Sequence, residues 1–139
     1  MKKLLFGLLS LTLLTTACKK DKDAPAMTKE NIAGTYKMIA DVFKETGQPD
    51  VDDFATAPAC EKDDLFKFNV DGSFQAVDAG QSCDPAGGFE ALWSVSGNQI
   101  TVGEQTYTIT KFDGSILEIK EWSGTETDGH GSVVTFQKQ

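Results

Sequence analysis

The sequence predicts an all-β domain: eight short antiparallel strands, closed as an up-and-down barrel or stacked as a β-sandwich. Three observations predict it. Apolar residues recur with a period of two, not 3.6, from residue 35 almost to the end of the chain. Turn sequences such as Asp71-Gly72, Ser96-Gly97-Asn98, Gly103-Glu104 and Asp113-Gly114 cut that pattern into hairpin-sized pieces. No segment carries a sustained helical period. Period-two alternation fits a sandwich as well as a barrel, but a closed barrel also removes exposed strand edges.

The elements follow in order. Thr28-Lys29-Glu30-Asn31 can cap and start a brief helical turn. Residues 35–43 form the first strand, with Tyr36, Met38, Ala40 and Val42 on one face. Residues 65–70 alternate with Phe66, Phe68 and Val70 in phase, and residues 73–78 with Phe74 and Ala76. Between them, a three-residue loop with Gly72 in the left-handed region pairs Phe68 with Phe74 and Phe66 with Ala76. A two-residue turn would pair Phe68 with Gln75. The first register collects the apolar side chains on one face and is preferred. Phe89, Ala91, Trp93 and Val95 share the next face, and a short strand at residues 99–102 follows. Residues 105–111 place Tyr107 and Ile109 in phase, residues 116–122 Leu117 and Ile119, and the last strand covers residues 132–137.

Composition excludes several functions. The 139 residues hold 13 lysines and no arginine against 21 acids, for a net charge of −8. That offers no basic patch for nucleic acid and no guanidinium for bidentate phosphate capture. A single histidine, His130 in a turn-like Asp-Gly-His-Gly, does not furnish a catalytic triad or a multi-histidine metal site. There is no Gly-x-Ser-x-Gly and no glycine-rich phosphate loop. The chain therefore reads as a non-enzyme with no cofactor and no metal.

The start of the chain reads as an address. Lys2 and Lys3 precede an apolar run over residues 4–14, followed by Thr15, Thr16, Ala17 and Cys18. This is the layout of a secretory signal peptide, and the run is shorter than the roughly 20 residues a spanning helix needs. Leu14-Thr15-Thr16-Ala17-Cys18 resembles a bacterial lipobox, which implies lipidation of Cys18 and a membrane partner through that lipid. Residues 1–17 are then the signal peptide, residues 18–28 the lipidated cysteine and a flexible tether, and residues 29–139 the folded domain. With residues 1–17 removed, eleven lysines face 21 acids, a charge of −10. The tract Lys19-Lys20-Asp21-Lys22-Asp23 is a solvated spacer or, by resemblance to tracts in some Gram-negative lineages, an export signal. The expected location is the outer membrane, facing the periplasm or the cell surface.

Once Cys18 is assigned to the lipid, Cys60 and Cys83 remain. In an oxidising compartment two cysteines read as one disulfide. Extending the Asp71-Gly72 hairpin brings Cys60 opposite residue 82 or 83, which is consistent with a bond across its open end. Metal ligation is the weaker alternative, for want of a CxxC pair.

Asn31-Ile32-Ala33-Gly34-Thr35-Tyr36-Lys37 resembles the Gly-x-Trp signature that opens the first lipocalin strand, with Tyr36 in place of Trp. Ala59-Cys60-Glu61-Lys62-Asp63-Asp64, Asn69-Val70-Asp71-Gly72-Ser73-Phe74, Cys83-Asp84-Pro85 and Leu92-Trp93-Ser94 follow in the order found in bacterial lipocalin-like lipoproteins. The resemblance spans about residues 30–137 and implies an eight-stranded calycin-type barrel. It also implies that residues 44–62, the long first connection, cover the barrel mouth.

Tyr36, Phe66, Phe68, Phe74 and Trp93 are the candidate ligand-binding residues. An interior of eight strands holds either packed side chains or one small ligand, so the same rings can line a cup or fill a core. Asp50, Asp52, Asp53, Glu61, Asp63 and Asp64 read as a solvated acidic face, with calcium as the alternative, although the EF-hand spacing is absent. Asp63 and Asp64 could also be asked to act as a catalytic carboxylate pair, but nothing else in the sequence supports an enzyme. Two functions follow: a membrane-anchored protein binding a small apolar or amphipathic molecule, or a structural or interaction lipoprotein with a solid barrel and no ligand.

Overall fold

The computed structural model describes residues 24–83, 87–125 and 127–139. The predicted signal peptide, Cys18, most of the tether and Asp84-Pro85 lie outside the described residues. The element order is α1 (Lys29–Ile32), β1 (Gly34–Glu45), β2 (Val51–Asp52), α2 (Asp53–Thr56), α3 (Ala59–Lys62), β3 (Leu65–Phe68), β4 (Ser73–Val77), β5 (Phe89–Ser96), β6 (Gln99–Val102), β7 (Gln105–Phe112), β8 (Ile116–Gly124) and β9 (Gly129–Lys138).

Every strand pairing is antiparallel. The sheet runs β2-β1-β3-β4-β5-β6-β7-β8-β9, and β9 returns to pair with β1. The eight predicted strands therefore close on themselves in up-and-down order. The two-residue β2, which sequence reasoning left inside a loop, lies against the far end of β1, with Val42 opposite Asp52 and Phe43 opposite Val51. The β3–β4 register is the predicted one: Phe68 faces Phe74 and Phe66 faces Ala76. Gly72 makes that turn with φ +94°, while Asp71 accepts the Ser73 N–H at 2.8 Å.

One end of the ring is closed. Thr28 caps α1 by accepting from the Asn31 N–H, close to the predicted position. Ile32 is fully buried there, and the Tyr36 hydroxyl donates to the Ile32 carbonyl at 2.5 Å. Burial pushes the Tyr36 phenol up to about 12. Lys138 Nζ donates to the Asn31 carbonyl at 3.1 Å, tying the end of β9 to the same plug. Met27 also packs against the core.

Above this plug the rings interlock. Phe68 lies edge-on to Tyr36 (5.7 Å), Phe74 (4.9 Å) and Trp93 (5.2 Å). Trp93 Nε1 donates to the Asn69 carbonyl at 2.8 Å, so its polar edge is satisfied. Ile100, Ile109, Phe112, Leu117, Ile119 and Phe136 complete the buried cluster. Burial of each such side chain contributes about 1.5–3 kcal/mol.

Strand β1 departs from its expected phase. Met38 faces Phe136, but Ala40 faces Thr135, so Ile39 bulges out and is 45% exposed. One extra residue flips every following side chain to the other face. Asp41 now opposes Val134, which packs on the core, and Phe43 opposes Ser132. The expected inward set of Tyr36, Met38, Ala40 and Val42 thus holds only for its first two members, and Asp41 takes an inward position beyond them. A second bulge, between Ile109 and Lys111, does the same in β7 and brings Phe112 into the core.

Candidate functional site

The open end of the ring lies where β1, β4 and β8 finish. The chain between β1 and β3 packs there, with α2 and α3 against β1. Asp52 caps α2 by accepting from the Ala55 N–H at 3.1 Å, and Pro58 precedes α3. Lys62 Nζ donates to the Ala55 carbonyl at 3.0 Å and stands 5.6 Å over the Phe54 ring, which ties the two short helices together. Lys44 pairs with Asp50 where this connection leaves β1. The Cys60–Cys83 disulfide (Cα–Cα 5.3 Å) fastens α3 to the loop after β4. The expected disulfide is thus present, and the connection over residues 44–62 is an organised cap with a clip at either end.

Beneath this cap is a cavity of about 240 Å³. Met38, Phe54, Ala57 and Phe66 give it apolar walls, and Asp41, Asp53, Glu61 and Asp64 give it carboxylates. Among the described residues, no lysine borders it. Phe66 leans on Phe136 (5.1 Å), a member of the buried cluster. Burial raises the Asp41 carboxyl above the usual carboxylate range; a hydrogen bond with Ser132 offsets this, and Asp53 and Asp52 add to it by repulsion. Its Oδ1 is shut off from solvent without a hydrogen-bond partner. Asp64 is raised as well, first by burial and then, against the Ala79 N–H, by Asp78, Asp63 and Glu61.

The five aromatic residues expected to line a ligand site divide. Phe66 borders the cavity. Tyr36, Phe68, Phe74 and Trp93 are at most 4% exposed and pack on one another toward the closed end. Trp93 also borders a shallow groove with Lys29, Asp71 and Leu92. A hollow of about 480 Å³ beside Gln75, Asp78 and Phe89 is lined largely by glycine and polar residues, and Phe89 is its single ring.

The acidic residues divide too. Asp63 Oδ2 accepts from the Gln81 N–H at 2.9 Å and Asp64 Oδ1 from the Ala79 N–H at 3.3 Å. These neighbours hold the loop after β4 in place. Among the described residues, no three His, Cys, Asp or Glu side chains converge to hold a metal ion. His130 is exposed and lies tilted against Phe43 at 6.3 Å.

Sequence reasoning missed Asp41 and Phe54. A lone carboxylate inside the otherwise apolar stretch of β1 was the available signal for the first. The Asp52 cap followed by Phe54 and Ala55, with Pro58 behind, was the signal for the second.

The molecule thus combines a closed antiparallel ring, a helical plug at one end, and a capped mouth holding a small cavity at the other. A model of the lipocalin-like domain matches residues 32–121, from the plug through most of β8. No curated protein and no solved structure matches the chain. That match covers well over half of the sequence, and the chain belongs to the lipocalin-like domain family.

Proposed function

We propose that this protein is a membrane-anchored lipocalin-like lipoprotein that binds one small apolar or amphipathic molecule at the mouth of its ring and catalyses no reaction. The observation that carries the reading is the cavity under the cap, with Met38, Phe54, Ala57 and Phe66 as its apolar walls. Ligand sites in this kind of fold are concave, mostly apolar and placed at barrel mouths. At about 240 Å³ the space falls just below the drug-sized range of roughly 300–1,000 Å³, so the ligand is small.

Anchoring is the second part of the proposal. The lipobox-like Leu14-Thr15-Thr16-Ala17-Cys18 supports acylation of Cys18, with the outer membrane as destination and the domain facing the periplasm or the cell surface. More than one acyl chain gives a stable anchor, because each buried methylene contributes about 0.8 kcal/mol. Cys18→Ala then releases the protein from membranes; continued membrane association refutes the anchor.

One observation favours the other reading, an interaction lipoprotein without ligand: Tyr36, Phe68, Phe74 and Trp93 fill the closed half of the ring. Native mass spectrometry separates the two. Protein purified from its own envelope and freed of its acyl chains carries a small molecule if it binds one. An unliganded mass, together with no thermal shift across a panel of lipids and metabolites, refutes ligand binding.

A further inference from the structure

We infer that the mouth cavity selects a small amphiphile with a cationic head, a protonated amine or quaternary ammonium, seated against Asp41 with its apolar part on Phe54 and Phe66. The inference rests on the binding reading above and adds the chemical class of the ligand.

The bulge at Ile39 turns Asp41 inward into a cavity walled by Met38, Phe54, Ala57 and Phe66 on its apolar side and by Asp53, Glu61 and Asp64 on its acidic side. An inward carboxylate on a barrel strand has to be desolvated, and the hydrogen bond with Ser132 compensates it only in part: its Oδ1 has no partner, and among the described residues no lysine lines the cavity. Glu61 and Asp64 add like charge on the same rim. A cation entering this space gains from every carboxylate at once, whereas a carboxylate ligand is repelled by all of them. Size sets a second limit. At about 30 Å³ per water-sized group, 240 Å³ admits roughly eight non-hydrogen atoms. The combination describes a short alkyl or aryl amine; a long fatty acid fits neither the charge nor the volume.

The test uses the chain from residue 18 onward with Cys18→Ser and the Cys60–Cys83 bond intact; among the described residues, every core side chain lies at or beyond Met27. Hexylammonium, hexanol and hexanoate share six carbons, differ in the head group and are titrated separately, with binding read from Phe54 and Phe66 ring resonances. The expected result is hexylammonium at least tenfold tighter than hexanol and hexanoate weakest, with the preference reduced to less than threefold in Asp41→Asn. Glu61→Gln, on the cap instead of the ring, lowers the preference by a smaller factor and serves if Asp41→Asn misfolds. Equal binding of hexanol and hexylammonium overturns the cationic inference and leaves the binding reading standing. No binding by any of the three, with an unliganded native mass, overturns both. Retention of the full preference in folded Asp41→Asn overturns the role of Asp41.

Discussion

Truncating Phe68 and Phe66 separately should distinguish the solid half of the ring from the hollow half. Phe68 is 3% exposed and sits edge-on to three other rings, at 4.9, 5.2 and 5.7 Å. Phe→Ala in a closed core costs about 3–5 kcal/mol, because the lost transfer energy is joined by a cavity that cannot collapse. The three ring contacts, each worth about 0.5–1.5 kcal/mol, place Phe68→Ala at the upper end of that range. Phe66 is only half-buried, touches one ring, Phe136 at 5.1 Å, and already borders an empty space. Its truncation enlarges an existing cavity and should cost about 1.5–3 kcal/mol. Urea unfolding followed by circular dichroism, with the disulfide oxidised, measures both at constant slope. The expected gap is about 2 kcal/mol. Equal costs for the two substitutions would refute the division of the interior into core and cup.

Three further outcomes are expected. Replacing both Cys60 and Cys83 with serine frees a loop of sequence separation 23 and should cost roughly 3 kcal/mol in thermal or urea unfolding; a loss below about 1 kcal/mol would mean that the cap is held without the bond. Gly72→Ala forces a side chain to φ +94° and should destabilise by at least about 1 kcal/mol, and unchanged stability would contradict the turn geometry. Asp41→Asn should leave stability at pH 7 equal or higher. The raised folded-state pKa means that the native protein holds the proton more tightly than the unfolded chain does. The resulting cost is absent below the unfolded value of 3.8 and grows as pH rises through the folded value. The variant, neutral throughout, escapes that cost, so its advantage should shrink toward zero near about pH 3. An advantage that instead widens on acidification would reverse the assigned environment of Asp41.

Much of the fold was legible in the sequence because hairpin chemistry is local. Asp71-Gly72 and the apolar phase of Phe66, Phe68, Phe74 and Ala76 select one register between them, and the structure has it. The disulfide was legible for the same reason, as a consequence of extending that register. The bulge at Ile39 was not. Ile39, Ala40, Val42 and Phe43 are apolar on both faces of β1, so alternation alone assigns no inside after Met38. The phase there is set by pairing with β9, roughly a hundred residues along the chain, which no local pattern reports. The cavity depends on that phase and was hidden with it. The helices of the cap are four residues each and too short to show a period; only their capping residues announce them.

Backbone NOEs between β1 and β9 report the shift of register at Ile39 that turns Asp41 into the cavity. The expected cross-strand contacts pair Ala40 with Thr135, Asp41 with Val134 and Val42 with Val133. Contacts pairing Ile39 with Thr135 and Ala40 with Val134 would mean an unbroken strand, an outward Asp41 and no carboxylate from β1 in the cavity.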